Sequence, residues 1–487
     1  MMQIISDWID RPRVIVPVAF VCLALLSSMG VKANAEPVDE PEWLELTVTP
    51  APEPSPALQH RFRAPIKDQR RGNAVPMYAR AMIFLGFVDW EDVGPRVRDW
   101  QGLALDELPV DEIRSTIFGQ HLAFLDEAAL YDHAAWETAA RQHGVAALLP
   151  ELGQMRNHAR LLALRTRVHI REGDHEQAIA SLRTGYTMAA HVAEEPIVIS
   201  RLVGISIAVM MSDAARELMA SPGSPNLYWA LADVGRDYID LRAATEFERY
   251  WVHWNIPALS HLSDVPMSIE QADRLWHDVF TSGLASEFGG VTWEHPLPAM
   301  ALGTAVYSEA KAGLVERGHD AEAVEAMPVK QAILLHWLIE LEHWADELFK
   351  WHQLPYAEAW EGARRSDQAF EHHRGRLASA TNPFLNVLPA LGAARGSEER
   401  MRRRFALLRC VEAVRMHVAA NDGQLPASLD DITVVPAPRD PSSHLPFRYH
   451  LEDNGRTFTL EPEPGEGPRL RMLVGDRLRV TVANDEN

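Results

Sequence analysis

Residues 202–211 read Leu-Val-Gly-Ile-Ser-Ile-Ala-Val-Met-Met, an apolar run inside a helical pattern extending from Ile197 to Met219. A bilayer-spanning helix needs about 20 apolar residues, so this run is too short, and Arg201 and Asp213 flank it. A helix that is apolar on every side must be covered on every side. The rest of the chain has to be arranged around it. Gly204 and Ser206 are small enough to let neighbouring helices come close.

The two patterns before this helix are also helical, and they break at residues 171–175 (REGDH) and 193–196 (AEEP). Gly173 suits a helix end, Ala178 permits close approach, and Leu182 and Gly185 continue the same packing face. The segment Gly173-Asp-His-Glu-Gln-Ala-Ile179 resembles the turn and second-helix start of a tetratricopeptide repeat over about 34 residues. Thr166 and His169 stand where that family usually has Gly and Tyr. The resemblance implies stacked helical hairpins, although no fixed period is visible along the chain. The predicted fold is mainly α, an irregular tetratricopeptide-like helical array with a small C-terminal α+β module.

A chain of 487 residues exceeds one ordinary core, which predicts two or three structural units. Its net charge of −21 excludes nucleic acid as a main partner, since phosphate binding needs a positive footprint. Arg400 and Arg402–Arg404 form the one short basic run, read as the solvated start of a helix. Of the two cysteines, Cys22 lies in an N-terminal apolar run and Cys410 sits among Phe405, Leu408, Val411 and Val414. No intramolecular disulfide framework follows, and Cys410 reads as a buried, inert thiol.

Residues 1–35 carry Arg11 and Arg13, the apolar run Val14 to Met29, and Ala33-Asn-Ala35. This pattern predicts a signal peptide or membrane anchor, and so an exported protein in the periplasm or anchored facing it. Six prolines between Glu36 and Pro56 predict an extended spacer over 36–72. A helical domain is expected over 73–396, with helix starts at Pro76, Pro109 and the capping-box pattern Ser268-Ile-Glu-Gln271.

The pattern from Val329 to Trp351 invites a chemical reading. His336, Glu340, His343 and Glu347 follow at helical spacing and share one face within about 60°. Glu340 and His343 form the E-x-x-H pair used by di-iron bundles, which makes His336, Glu340 and His343 a candidate metal site. No second such pair occurs on a comparable helix, and no cofactor is expected. Trp337, Trp344 and Trp351 recur at sevens, a candidate binding surface for sugars or peptides or an interhelical seam. Asp132-His133 and Glu371-His372-His373 read as surface groups. The sequence contains no G-x-S-x-G elbow, no H-E-x-x-H and no phosphate-binding glycine loop.

After Ala420 the composition changes. Alternating stretches at 447–451, 457–460, 470–473 and 478–482 predict strands, with Asp453-Asn-Gly455 as a hairpin turn. With the helix 397–420 they predict an α+β module over 397–487. The long helix, Asp422-Gly-Gln-Leu-Pro426, Leu429, Arg439-Asp-Pro441 and Pro446-Phe-Arg-Tyr449 resemble the C-terminal part of pseudopilin-like modules. In pseudopilins that part follows directly on a membrane helix, whereas here about 360 residues intervene.

A series along the chain resembles a group of signal-bearing, uncharacterised planctomycete proteins. It includes Pro56-Ala-Leu-Gln-His-Arg-Phe62, Ser224-Pro-Asn-Leu-Tyr-Trp229 and Leu348-Phe-Lys-Trp351 followed by Leu354-Pro-Tyr356. The resemblance implies export and no particular activity. The expected function is an extracytoplasmic helical scaffold that binds a protein or an envelope component without catalysis, the expected partner being an envelope protein or peptide. The alternatives are a metal-dependent hydrolase or oxidase using the His336, Glu340 and His343 face, or a structural part of a secretion or surface assembly.

Overall fold

The computed structural model describes residues 43–86, 88–136, 150–235, 238–281, 296–374, 382–388, 391–463 and 475–483. The expected signal or anchor (1–35), the first part of the spacer and the expected strand at 470–473 lie outside the described residues. The molecule is mostly helical with a small C-terminal sheet, as the mainly α reading requires.

The chain begins its described course with β1 (Leu44–Val48) and β2 (Arg70–Asn73). Four short helices follow: α1 (Val75–Leu85), α2 (Trp90–Gly102), α3 (Val110–Ile117) and α4 (Gln120–Ala128), and then β3 (Tyr131–His133). Three long helices come next, α5 (Pro150–Arg171), α6 (His175–Val192) and α7 (Val198–Ala220). Short α8 (Tyr228–Asp233), α9 (Arg242–Arg249) and α10 (Trp251–Asn255) lead to α11 (Ile269–Thr281), α12 (Pro296–Glu316) and α13 (Ala321–Ala326). Then come α14 (Val329–Phe349), a 3-10 turn (Lys350–Gln353), α15 (Tyr356–His373) and α16 (Leu391–Ala420). Strands β4 (Arg448–Leu451), β5 (Thr457–Glu461) and β6 (Leu478–Val482) close the sheet.

The local signals act where the sequence puts them. Pro76 occupies the first turn of α1, where its missing N–H is no loss. Ser268 and Gln271 exchange side-chain-to-backbone hydrogen bonds at the start of α11, at 3.2 and 2.8 Å. Gly173 takes φ +74° after α5, and Asp174 caps α6 by accepting from the Gln177 amide at 3.1 Å.

Helix α7 is the centre. It packs on α5 and α6 and, on another side, on α16. Among the described residues it alone is long and apolar enough to cross a membrane, yet most of it is buried in the body. Gly204 is required for that contact: a Cβ there would stand 2.6 Å from the Ala189 carbonyl oxygen and 2.8 Å from the Ala193 Cβ. The predicted hairpin is therefore real, but the short helices around it do not establish a repeating stack of hairpins.

Two boundaries differ from expectation. The described part of the supposed spacer is packed. β1 pairs in parallel with β6, from Leu44 opposite Leu478 to Val48 opposite Val482, in a sheet ordered β1-β6-β5-β4. Leu46 and Val48 face inward, and further on Phe62 is wholly buried against Tyr186. The expected break at 396/397 falls inside α16, whose side chains join the same hydrophobic core as α5–α7. The C-terminal sheet is thus a face of the main body.

The basic run is also not a solvated helix start. It lies in mid-α16, and Arg403 is buried with Nε donating to Asp440 at 3.1 Å and Nη2 to Ser442 at 2.6 Å. Arg404 reaches Asp213 of α7 at 3.2 Å. Cys410 is buried as expected, its thiol donating to the Pro438 carbonyl at 3.4 Å, and burial pushes its pKa well up.

Candidate functional site: the α14 face and a charged cleft

The residues expected on one face of α14 divide between two neighbours. His336 is buried against α12, where a Cβ on Gly313 would stand 2.6 Å from its Cε1. Burial lowers the pKa of His336, with the Glu340 charge opposing. Glu340 turns instead toward α15. Its Oε1 lies 2.7 Å from His373 Nε2, and its Oε2 accepts from Asn382 Nδ2 at 2.8 Å. The same Asn382 amide donates to the Trp337 carbonyl at 3.1 Å, so Glu340 helps fix the chain after α15.

His343 is exposed, its ring edge-on to that of Trp344 at 5.5 Å between centroids. His336, Glu340 and His343 therefore do not converge. Among the described residues no three His, Cys, Asp or Glu side chains gather as a metal-holding group. A 60° sector on a helix is wide enough to be shared by two packed neighbours, and α12 and α15 take its two edges. His373, read from sequence as a surface residue, is the partner that spacing on α14 could not reveal.

The tryptophans are seam residues. Trp337 is almost wholly buried, with Trp276 at 5.8 Å and Phe384 at 6.0 Å between ring centroids. Trp344 is half-buried between Phe370 (5.4 Å) and His373 (5.0 Å). Trp351 donates its indole N–H to Ser366 at 2.9 Å and lies over Gly362, where any Cβ would collide with the ring. The stripe joins α14 to α11 and α15.

An open cleft lies at the C-terminal end of α14. It holds about 550 Å³ and is lined by Arg201, Asp240, Arg242, Ala243, Glu246 and Gln353. These come from the first turn of α7, from α9 with the residues before it, and from the 3-10 turn after α14. Asp240 accepts from the Arg242 amide at 2.8 Å and from its Nε at 2.6 Å. Burial pushes the Asp240 carboxyl up, but those bonds win and hold it below its ordinary value. Arg201 keeps a buried Nε with no hydrogen-bond partner among the described residues. Burial lowers the pKa of Arg201, opposed by Asp240 and Glu398.

α16 supports this cleft from beneath. Glu398 pairs with Arg402 at 2.5 Å, and burial nevertheless pushes its carboxyl up to about 7. Arg395 donates to the carbonyls of Trp351 and Leu354, which clamps the 3-10 turn that carries Gln353. On α9, two residues past Glu246, Glu248 is buried and accepts the Val198 amide at 3.2 Å, at the start of α7. Burial pushes Glu248 up to about 7. Sequence reasoning did not group these residues: it noted Arg201 as a flank of the apolar run and Arg402 in the basic run, and named none of them as part of a cleft. Their separations run to almost two hundred residues, and no local spacing encodes such a grouping.

No protein family, curated protein or solved structure matches the chain.

Proposed function

We propose that the protein is a non-catalytic helical scaffold, exported from the cytoplasm, that holds a charged segment of a partner protein in the cleft at the end of α14. The observation that carries this reading is the cleft itself: Arg201 and Arg242 stand with Asp240 and Glu246 across about 550 Å³ of open space. Charges of both signs on separate elements suit recognition of an extended peptide, whose side chains alternate in direction. The support from α16 favours a preformed site, which lowers the ordering entropy that binding costs. Export rests on the apolar run Val14 to Met29 and Ala33-Asn-Ala35. In this reading the body is an irregular helical array whose one tetratricopeptide-like hairpin, α5–α6, serves as core and not as a concave binding surface.

The test is a display screen of random fifteen-residue peptides against the full-length protein, repeated with Arg201→Glu and Glu246→Lys. Peptides that bind the parent and are lost from both variants are the expected result. A screen whose binders all survive both substitutions, or that yields no binders, overturns the cleft assignment. N-terminal sequencing of the protein from the producing cells tests export: a chain starting near Glu36 is expected if residues 1–35 are a cleaved signal.

A further inference from the structure

In a chain of net charge −21, residues 61–71 hold Arg61, Arg63, Lys67, Arg70 and Arg71 against the single acid Asp68. Two of these cations are engaged: Arg61 pairs with Asp233 at 2.9 Å and Arg70 with Glu127 at 2.8 Å. The side chains of Arg63, Lys67 and Arg71 are exposed and have no carboxylate partner among the described residues. Between them Ile66 is 86% exposed, more than any other large apolar side chain described, and Leu58 is 57% exposed.

This exposure is not slack in the chain. Phe62 is wholly buried, its ring 4.7 Å from that of Tyr186, and Ala64 is buried beside it. The Arg63 amide donates to Asp233 at 3.1 Å, and Gln69 Nε2 donates to the Ala64 carbonyl at 2.8 Å. The Pro65 carbonyl accepts from the amides of Asp68 and Gln69, at 2.8 and 3.1 Å, which closes the turn that carries Ile66. The loop is pinned from below and holds one aliphatic side chain out into solvent within a group of free cations.

We propose that this loop, residues 58–71, seats on an anionic phospholipid surface. An aliphatic tip bordered by cations matches the headgroup boundary: the cations meet lipid phosphates while the tip enters the acyl edge. An acidic protein surface would satisfy the cations equally but gives no reason for Ile66 and Leu58 to stand exposed among them. The loop also lies about 30 residues past the apolar run that ends at Met29, close enough in sequence to act at the same membrane. The surface is separate from the cleft and does not depend on what the cleft binds.

Hydrogen–deuterium exchange of the full-length protein, followed in peptides covering 58–71, tests it with vesicles of phosphatidylglycerol or phosphatidylcholine. A local readout is needed because residues 14–29 can bind lipid by themselves. The expected result is at least a tenfold slowing of exchange in 58–71 with phosphatidylglycerol, lost in 0.5 M salt and in the triple variant R63E/K67E/R71E. The variant Ile66→Ser retains the salt dependence but weakens protection several-fold. These residues are exposed, so circular dichroism should be unchanged. Equal protection by phosphatidylcholine, or protection that survives the triple variant, overturns the proposal. Unchanged exchange with both vesicles also overturns it and leaves an acidic protein as the occupant of the loop.

Discussion

The guanidinium of Arg415 and the carboxylate of Glu412 meet at 2.8 Å with both side chains wholly excluded from solvent. Arg415 also donates to the carbonyls of Thr49 (2.8 Å) and Ser224 (3.0 Å), joining α16 to the segment after β1 and the turn after α7. Burial pushes the Glu412 carboxyl up while Arg415 opposes the shift. Removing one partner leaves the other charge buried alone. Arg415→Met should therefore cost about 3–5 kcal/mol in urea unfolding, and Arg415→Met with Glu412→Leu clearly less. A double variant as unstable as the single one would show that the hydrogen bonds to Thr49 and Ser224 carry the stability instead.

Gly204 and Gly185 test the contact between α6 and α7. A Cβ on Gly204 meets the Ala189 backbone carbonyl, which cannot turn aside. A Cβ on Gly185 meets the Met211 thioether, the far end of a flexible side chain. Alanine in an open helix site gains up to about 1 kcal/mol over glycine, so any loss reports the clash. Gly204→Ala should destabilise by about 1–3 kcal/mol. Gly185→Ala should cost less, by thermal melting. The reverse order would place the tight contact at Met211.

Acidification should weaken the fold through its buried histidines. Burial holds His158, His191 and His352 at about 4, below the ordinary 6.5, so the unfolded chain takes up protons first. Their contribution is fully present above pH 6.5 and is lost as pH falls toward 4. Glu248 and Glu398, at about 7 against an ordinary 4.5, act oppositely and favour folding as pH falls from 7 to 4.5. Within this set three groups stand against two, so the expected outcome is a net loss of stability between pH 6 and pH 5. Chemical denaturation at pH 5 and 6 measures it.

Glu248 isolates the opposing part. Glutamine keeps an acceptor for the Val198 amide and mimics the protonated acid. Glu248→Gln should stabilise the protein relative to its parent at pH 8 by on the order of 3 kcal/mol more than at pH 4.5. A difference independent of pH would mean that Glu248 titrates alike in both states.

Trp337 and Trp344 separate seam from groove. Trp337→Ala removes a buried ring packed on Trp276 and Phe384 and should cost about 3–5 kcal/mol. Trp344→Ala, at a half-buried ring, should cost clearly less, as read by urea unfolding. Equal and small losses would remove the seam reading.

Much of the helical body was legible because its signals are local. The apolar run 202–211, the Gly173 break and the Asn454-Gly455 turn each act within a few residues. β1 was legible in principle: Leu44-Glu-Leu-Thr-Val48 alternates as a half-buried strand does, but the surrounding prolines dominate the segment's composition. The burial of Arg403 depends on Asp440, and the fate of Glu340 depends on His373 and Asn382. Such pairings are set by how helices meet, and residue spacing along one helix carries no record of them. The cleft was illegible for the same reason.

Because β1 runs parallel to β6, a pull on Trp43 away from the body draws β1 lengthwise along its neighbour. Load is then shared across the whole row of interstrand hydrogen bonds and does not open them one at a time. Were residues 1–35 to stay in a membrane, the sheet would act as a shear-bearing joint between tether and body. The strand at the far end of the sequence would carry the tension that enters at the near one.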